Sequence, residues 1–502
     1  MSVKQFVRAH FVLALVAALS AVVHAQESKP KASDPEYRQP QSSEVEQLKS
    51  KVEQLQTLLE RQQQLLVEMQ SRMDEIEGKP KLAAAGLKSE VPKPDSSQAP
   101  IATASASASQ KVPANATSQA NAKPALLAGW ENNRAILRSE DGSFETQITG
   151  YGQLDGRSYA AGDHPPNTFV LRRARMTLEG RVNRYFDFRI EGDFADTVGT
   201  PLRDLYVNVH RIDEAQFRFG QFKVPMSQEE IRSDAFQDFV ERSLVNNLVP
   251  SRSPGIGMSG VINKGAFEYQ IGAFNGKGLL ASNTSNTPEA ALRLRFNPWK
   301  NTDLFWAKGL IFGGAFTQGR SNGGLSVRGL TESRSSIFFQ SDTVNGKYIR
   351  ANGEFTWLLG TATIRAEYDQ TNQSRDNLGT NGTNLPGVVA KGYMAQATYL
   401  LTGETKPESA ALSPRTNLFE GDKGHGFGAW ELKFRYANLQ IADGTAKSNR
   451  AETFYFGPNW YLNRFVRYVM DLGIERYKDP ARSPNPADRN YFVMLNRIQV
   501  SF

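Results

Sequence analysis

The chain has 502 residues, of which 59 are Lys or Arg, 52 are Asp or Glu, and none is cysteine. This length exceeds one ordinary compact domain and suits a large barrel with an appendage. The formal charge of +7 is too small to indicate nucleic-acid binding, and the lack of cysteine excludes disulfides and thiolate metal sites.

Residues 1–25 predict an export signal peptide. Lys4 and Arg8 supply a positive start, residues 11–23 form a short apolar core, and Val23-His24-Ala25 resembles a small-x-small cleavage site. Because the apolar run is shorter than the roughly 20 residues of a spanning helix, cleavage is favoured over a retained membrane anchor. Residues 26–42 are expected to form a flexible N-terminal segment.

Residues 43–78 predict an α-helical coiled coil. Two core positions repeat every seven residues from Val45 to Ile76, with Gln62 as the only polar residue in the seam. The strict repeat favours self-association over a lone amphipathic helix lying on the barrel. Residues 79–128, rich in Ala, Ser and Pro, are expected to be a flexible linker, since this composition cannot bury a core.

Residues 129–502 predict a β-barrel. Apolar and charged residues alternate from about Glu145, and in the clearest stretch Phe188 and Ile190 face one way while Arg189 and Glu191 face the other. In a membrane barrel, lipid takes the apolar face and a water-filled lumen takes the charged face. The expected fold class is therefore all-β: a sixteen-stranded antiparallel transmembrane barrel with an N-terminal α-helical coiled coil.

The expected strands share this alternation and are separated by short and long connections in turn. They cover residues 145–158, 168–182, 185–195, 202–210, 214–223, 255–264, 266–275, 288–297, 302–318, 346–358, 361–372, 387–402, 425–440, 449–462, 465–477 and 489–502. The facing of 302–318 is unclear because it contains many glycines. The connection 403–424 is long where the alternation requires a short turn, and the sequence offers no physical reason for it.

Aromatic residues mark the ends of several expected strands. Phe502 ends the last one on the same face as Val500 and Ile498, which predicts a lipid-facing terminal ring with Arg497 on the lumen side. Trp299, Trp306, Trp357 and Trp460 also lie at or near strand ends, where their rings suit the membrane–water boundary.

The sequence indicates no enzyme, cofactor or metal site. Its histidines are far apart, and His210, at a strand end, is the only one placed where a hydrolase on the barrel wall would need it. Arginines instead line the expected lumen face, and guanidinium groups stay charged and offer a planar fork of donors to oxyanions. Nearly as many carboxylates share this face, so only segregation of the charges in space would favour anions.

Several stretches in this order resemble the phosphate-selective porin O/P family from about Gly150 to Phe502. They are Phe169–Arg175, Phe219–Met226, Phe239–Leu244, Leu401–Glu404 and Gly428–Tyr436. The resemblance implies a trimeric sixteen-stranded porin that passes phosphate or related anions passively. It also implies that the loop at 223–254 folds inward to narrow the pore, and that Arg172, Arg173, Arg175 and Lys223 contact anions.

The candidate anion-binding and pore-lining residues are the basic residues of the lumen face, of this loop and of the resembling stretches. They are Arg172, Arg173, Arg175, Arg181, Arg189, Arg218, Lys223, Arg232, Arg242, Arg293, Arg295, Lys433 and Arg435. Arg172 breaks the alternation, so it reaches the lumen only through a bulge or close to a loop.

The leading hypothesis is an outer-membrane porin of a Gram-negative-type bacterium with its N-terminal extension in the periplasm. The expected partners are two further copies of the chain, phosphate or other small anions, membrane lipid, and peptidoglycan bound by the N-terminal extension. One alternative is a general or otherwise selective porin for small solutes. Another is a structural protein that tethers the envelope through the coiled coil. Deleting residues 26–128 would distinguish this tethering role from conduction through the barrel.

Overall fold

The computed structural model describes residues 126–131, 134–160, 165–196, 199, 201–420, 426–444, 448–478 and 490–502. The expected signal peptide, flexible segment, coiled coil and all but the end of the expected linker lie outside these residues. Among the described residues, no helix is long and apolar enough to cross a membrane.

The described residues form mostly β-strands. In chain order these are β1 (Leu126–Glu131), β2 (Arg134–Ser139), β3 (Phe144–Ala160), β4 (Thr168–Val182), β5 (Phe186–Asp193), β6 (Leu202–Ile212), β7 (Ala215–Lys223), β8 (Arg252–Ile262), β9 (Phe267–Phe274), β10 (Glu289–Phe296), β11 (Leu310–Leu325), β12 (Gly329–Leu330), β13 (Ile337–Phe339), β14 (Thr343–Leu359), β15 (Ala362–Arg375), β16 (Leu385–Leu400), β17 (Ala429–Ala442), β18 (Asn449–Tyr461), β19 (Val466–Tyr477) and β20 (Asn490–Ser501). A short helix, α1, covers Gln228–Ile231, and single 3-10 turns cover Asp234–Phe236, Leu244–Leu248, Asn263–Gly265 and Thr380–Gly382.

Sixteen of these strands close into an antiparallel barrel, which confirms the expected barrel and its strand count. Strands β3 to β11 pair in succession, β11 pairs with β14, and the succession continues to β20. The seam is the pairing of β20 with β3, from Phe492 opposite Ala160 to Ser501 opposite Tyr151. Gly150 and Phe502 then exchange backbone hydrogen bonds of 2.9 and 3.0 Å.

Period-two alternation sets the two faces of the wall. On β5, Phe186 and Ile190 are exposed on the outer surface, whereas Glu191 and Asp193 are buried inside the barrel. On β20, Phe502 is exposed on the outer surface and Arg497 is buried inside, as the sequence predicts. Such alternation suits a wall with lipid outside and polar groups inside.

The barrel has two different ends. At the turn rim, where β20 ends, strands are joined by short connections such as 183–185, 360–361 and 462–465. At the opposite end, the loop rim, connections such as 224–251, 275–288 and 326–342 are long. Two turn-rim connections break the expected pattern, residues 297–309 and 401–428.

The ninth expected strand, 302–318, is misplaced in the sequence analysis. The observed strand β11 is Leu310–Leu325, and residues before it form turns in which the Ala307 and Lys308 amides donate to the carbonyl of Leu304. The Asn-Pro and Asn-Thr-Asp segments from Asn297 onward favour turns, and the glycines of the strand itself obscure its period. Trp306 accordingly lies exposed in this turn at the rim.

An unexpected hairpin, β1 and β2, extends the sheet at the turn rim. Strand β2 pairs with the first residues of β3, from Ala135 opposite Ile148 to Arg138 opposite Glu145. It therefore occupies the same edge of β3 that β20 occupies further along. The hairpin begins at Leu126 and so includes the last three residues of the expected linker.

The lumen contains a folded segment, residues 224–251, here called the inner loop. It connects β7 to β8, and its side chains of Phe239, Val240, Leu244 and Val245 are at most 1% exposed. They pack in an apolar cluster with the inner faces of β16 to β20 and with the 326–342 connection. The wall residues of this cluster include Met394, Leu439, Ile441, Tyr455, Val469, Val493 and Leu495. The core of the molecule therefore lies inside the barrel, against one side of the wall.

Candidate functional site in the barrel lumen

A β-bulge carries Arg172 into the lumen. The register between β3 and β4 shifts at this point, since Gln153 faces Arg173 but Leu154 faces Leu171. The extra residue in a bulge is left out of the pairing and its side chain is redirected. Arg172 Nε lies 2.5 Å from the carboxylate of Glu241 on the inner loop. The lumen position of Arg172 is therefore explained by the bulge in β4.

Asp234 of the inner loop gathers three candidate arginines. Its carboxylate lies 3.1 Å from Arg173, 2.7 Å from Arg175 and 2.9 Å from Arg242. Burial raises the pKa of Asp234, but the three guanidinium groups more than offset it and hold this pKa well below its usual value. The carboxylate is therefore charged near neutral pH and ties the loop to β4.

Asp238 ties the loop to the opposite side of the barrel. It pairs with Arg232 of the same loop at 3.2 Å and with Lys406 of the 401–428 connection at 2.7 Å. The pKa of Asp238 is held well below its usual value because these cations outweigh the effect of burial. Lys406 also pairs with Glu431, and Glu408 pairs with Arg295. The long turn-rim connection is thus part of the lumen packing, which explains its length.

The candidate cations of β17 are also bound to acids. Lys433 lies 2.5 Å from Asp471, and Arg435 lies 3.2 Å from Glu229 of the inner loop. The guanidinium of Arg435 stacks over Phe239 at 4.0 Å from the ring centroid. These charges hold the inner loop in place, because a buried cation left without its partner would be strongly destabilising.

An acidic cluster lies on β14 and β15 beneath the inner loop. Glu354 pairs with Arg293 at 2.5 Å, and Asn352 donates to both Glu367 and Asp369. The Glu229 amide of the inner loop donates to Glu367 at 3.3 Å. These carboxylates are at most 8% exposed, so the inner loop and the neighbouring wall residues shield them from water.

The open part of the lumen lies on the other side, along β3 to β9. Three neighbouring cavities there are bordered by eight basic and five acidic residues, a surplus of three positive charges. The basic residues are Arg134, Arg175, Arg181, Arg189, Arg218, Lys223, Arg252 and Arg464, and the acidic ones are Glu145, Glu179, Asp187, Glu191 and Asp204. Basic residues therefore outnumber acidic ones around these cavities, whereas the sequence predicts nearly equal numbers over the whole lumen face.

Most basic residues on this open side are engaged. Arg181 pairs with Asp187 at 3.0 Å, and Arg189 with Glu179 and Glu191 at 2.6 Å each. Lys223 donates to three backbone carbonyls of the inner loop, at Glu230, Ile231 and Arg232. Lys223 therefore holds the loop and has few donors left for an ion.

Arg218 differs from the other candidate cations. Its side chain makes no hydrogen bond or ion pair with any residue that the structure describes, and its Nε is buried without a partner. Its guanidinium carbon lies 4.3 Å from the ring centroid of Tyr206 and 5.4 Å from that of Phe222. Cation–π contacts thus hold it in position while leaving donors free toward the cavity.

Sequence reasoning missed residues that act through distant partners. Arg252 pairs with Asp204 at 2.7 Å and with Glu191 at 3.0 Å, and Lys406 bridges two loops. Both lie outside the regular part of the expected strands, so alternation gave no signal for them. His210 binds Asp187 and Asp213 at 3.3 and 2.7 Å at the turn rim.

The sequence can be compared with known proteins. A sequence model for phosphate-selective porin O and P matches residues 148–502. The chain belongs to the phosphate-selective porin O and P family. It is therefore an outer-membrane porin, and a channel rather than an enzyme.

This porin is similar to Porin O of Pseudomonas aeruginosa, with 21% identity over 393 residues that cover 70% of this chain and 86% of that protein. Among solved structures, it is similar to an anion-selective porin from Comamonas acidovorans, with 14% identity, 71% and 99% of the two chains covered, and a TM-score of 0.45. The outer membrane channel DcaP of Acinetobacter baumannii has 11% identity, 73% and 99% coverage, and a TM-score of 0.45. The trimer form of OmpT from Vibrio cholerae has 12% identity, 72% and 100% coverage, and a TM-score of 0.46.

Proposed function

We propose that this porin passes phosphate and related small anions passively along the open side of its lumen. The observation that carries the proposal is the uneven distribution of charge. The inner loop and the neighbouring wall residues shield the acidic cluster of β14 and β15, while the cavities along β3 to β9 border three more positive than negative charges. The positive potential where water has access therefore attracts anions and repels cations.

The paired arginines suit passage rather than capture. Arg175 and Arg189 keep some donors free while carboxylates at 2.6 to 3.4 Å reduce their net attraction for an ion. Conduction needs sites that replace the ion's water yet release it to the next site. In this scheme Arg218, which has no carboxylate partner among the described residues, is the strongest single site and sets the preference for anions.

We further propose that the barrel works as a homotrimer and that its turn rim faces the periplasm. Strand β20 ends at this rim, and the β1–β2 hairpin, which begins at Leu126, lies at the same rim. An extension that continued from Leu126 into the periplasm would be in reach of peptidoglycan. Short turns on the periplasmic side and long loops outside are the common arrangement in outer-membrane barrels.

Reversal potentials in planar bilayers under a KCl gradient test the ion preference. The full-length porin should favour chloride, and added phosphate should reduce the chloride current. Arg218→Gln should lower the anion-over-cation permeability ratio roughly threefold to fivefold, the effect of ~1 kcal/mol for one charge at contact distance in water.

Arg181→Gln is the matched control, because it also removes one lumen arginine. In this case, however, Asp187 already neutralises the arginine. Its permeability ratio should change much less than that of Arg218→Gln. Cation preference of the wild-type porin would contradict the proposal. Chloride preference without any block by phosphate would instead support a general anion pore.

A further inference from the structure

A cavity beside Arg218 combines cationic and apolar walls. It lies between the inner faces of β6 to β9 and the inner loop. Its apolar part comes from Tyr206, Phe222 and Phe274 on the barrel wall, and from Pro225 and Ile231 on the loop. A purely hydrated ion gains nothing from such a surface, whereas a ligand with an apolar group does.

The aromatic residues form a fixed stack. The Tyr206 and Phe222 rings lie edge to face at 6.1 Å, and those of Phe222 and Phe274 at 5.1 Å. Phe222 and Phe274 are 7% and 1% exposed, so neighbours hold their positions. Arg218 rests on this stack, which fixes the guanidinium without an acid.

Small residues keep the cavity open. A β-carbon at Gly257 would approach the Phe222 ring to 3.2 Å, and the adjacent lining residue on the same face of β8 is Ser259. Ile231, at the end of α1, closes the opposite side and is only partly buried. An apolar group could therefore lie between the wall and the loop with a charged group directed at Arg218.

We propose that this cavity selects organic anions that carry an aromatic or other apolar group next to a carboxylate. The carboxylate accepts hydrogen bonds from the free edge of the Arg218 guanidinium, and the ring packs against Ile231 and Pro225. The inference rests on the proposed anion passage and names a substrate class for the same lumen. Burying one face of a phenyl ring, on the order of 60 Å², corresponds to about a tenfold gain in affinity.

The test compares benzoate with acetate as blockers of the current through single wild-type channels near neutral pH, where both are ionised. Benzoate should half-block the current at a concentration about tenfold lower than acetate does. Equal block by the two anions would overturn the inference. That result would leave the chloride preference, measured separately from the reversal potential, untouched.

Two variants locate the effect. Ile231→Ser removes apolar surface but no charge. The half-blocking concentration of benzoate should therefore rise by up to about tenfold, toward that of acetate, while block by acetate stays the same. Ile231→Leu, the conservative control, should retain the difference. Ser259→Trp fills the cavity and should abolish the preference for benzoate with Arg218 intact. A preference that persists in both Ile231→Ser and Ser259→Trp would contradict the site.

Discussion

Gly150 lies where the first and last strands of the barrel meet. A β-carbon there would lie 2.7 Å from the Arg175 carbonyl oxygen and 2.7 Å from the Phe502 ring. Two residues along the same face of β3, a β-carbon at Gly152 would have no atom within 4 Å. Replacing each glycine in turn therefore separates the effect of the close contacts at the seam from the effect of losing a glycine in a strand.

We expect Gly150→Ala to destabilise the barrel by ~1–3 kcal/mol, because the Arg175 backbone cannot move away without disturbing its own pairing. Gly152→Ala should be neutral or slightly stabilising. The measurement is the temperature at which the folded form is lost, followed by the mobility of unheated samples on gels. If both variants melt alike, the close contacts around Gly150 do not restrict the seam.

The role of each arginine was harder to predict than its position. Alternation predicted that Arg173, Arg175 and Arg435 face the lumen, and it identified Arg172 as an exception that needs a bulge. It could not predict their partners, because Asp234 and Glu241 come from a loop about 60 residues further along the chain. Whether an arginine is neutralised or free is a property of tertiary contacts.

At the scale of elements, three carboxylates fasten the inner loop. Arginines and Lys406 keep the pKa values of Asp234, Asp238 and Glu241 well below their usual values of about 4, although burial alone would raise them. Groups with depressed pKa values stabilise the folded arrangement above their unfolded pKa. This stabilisation is lost as the pH falls below that value.

We therefore expect the loop to stay in place from about pH 8 to pH 5 and to loosen below about pH 4. Single-channel conductance should be constant over the first range and should rise, with added noise, over the second. Asp234→Asn should show a larger conductance already at neutral pH, since it leaves three arginines with one acid fewer. A conductance that is constant down to pH 3 in the wild type would contradict this account.

Element boundaries followed from the sequence wherever a local pattern existed. Strands such as β4 and β18 show clear period-two alternation and were predicted within a residue or so. The β1–β2 hairpin and the 401–428 connection were not explained, because their positions depend on the free edge of β3 and on Asp238. Asp238 is distant in sequence from the 401–428 connection, and the edge of β3 is free for β2 only because the distant strand β20 ends its pairing at Tyr151.

At the scale of the whole molecule, the surplus charge along the open side acts over a distance that salt controls. The Debye length is about 30 Å at 0.01 M salt and about 3 Å at 1 M. We expect the anion-over-cation permeability ratio to fall steeply between these concentrations at a fixed gradient ratio. Reversal potentials at both concentrations measure the permeability ratio. A permeability ratio that does not depend on salt would indicate selection by pore size.

The seam between β3 and β20 also has a consequence for the order of events when the protein is made. Arg497 and Asp155, which form an ion pair, are 342 positions apart in sequence, and the last hydrogen bonds come from Phe502 itself. No earlier segment can close the barrel, so a chain that lacks its last strand has two unpaired edges, which are prone to aggregate. Because contacts so distant in sequence form slowly, the nascent porin needs protection until β20 is available to pair with β3.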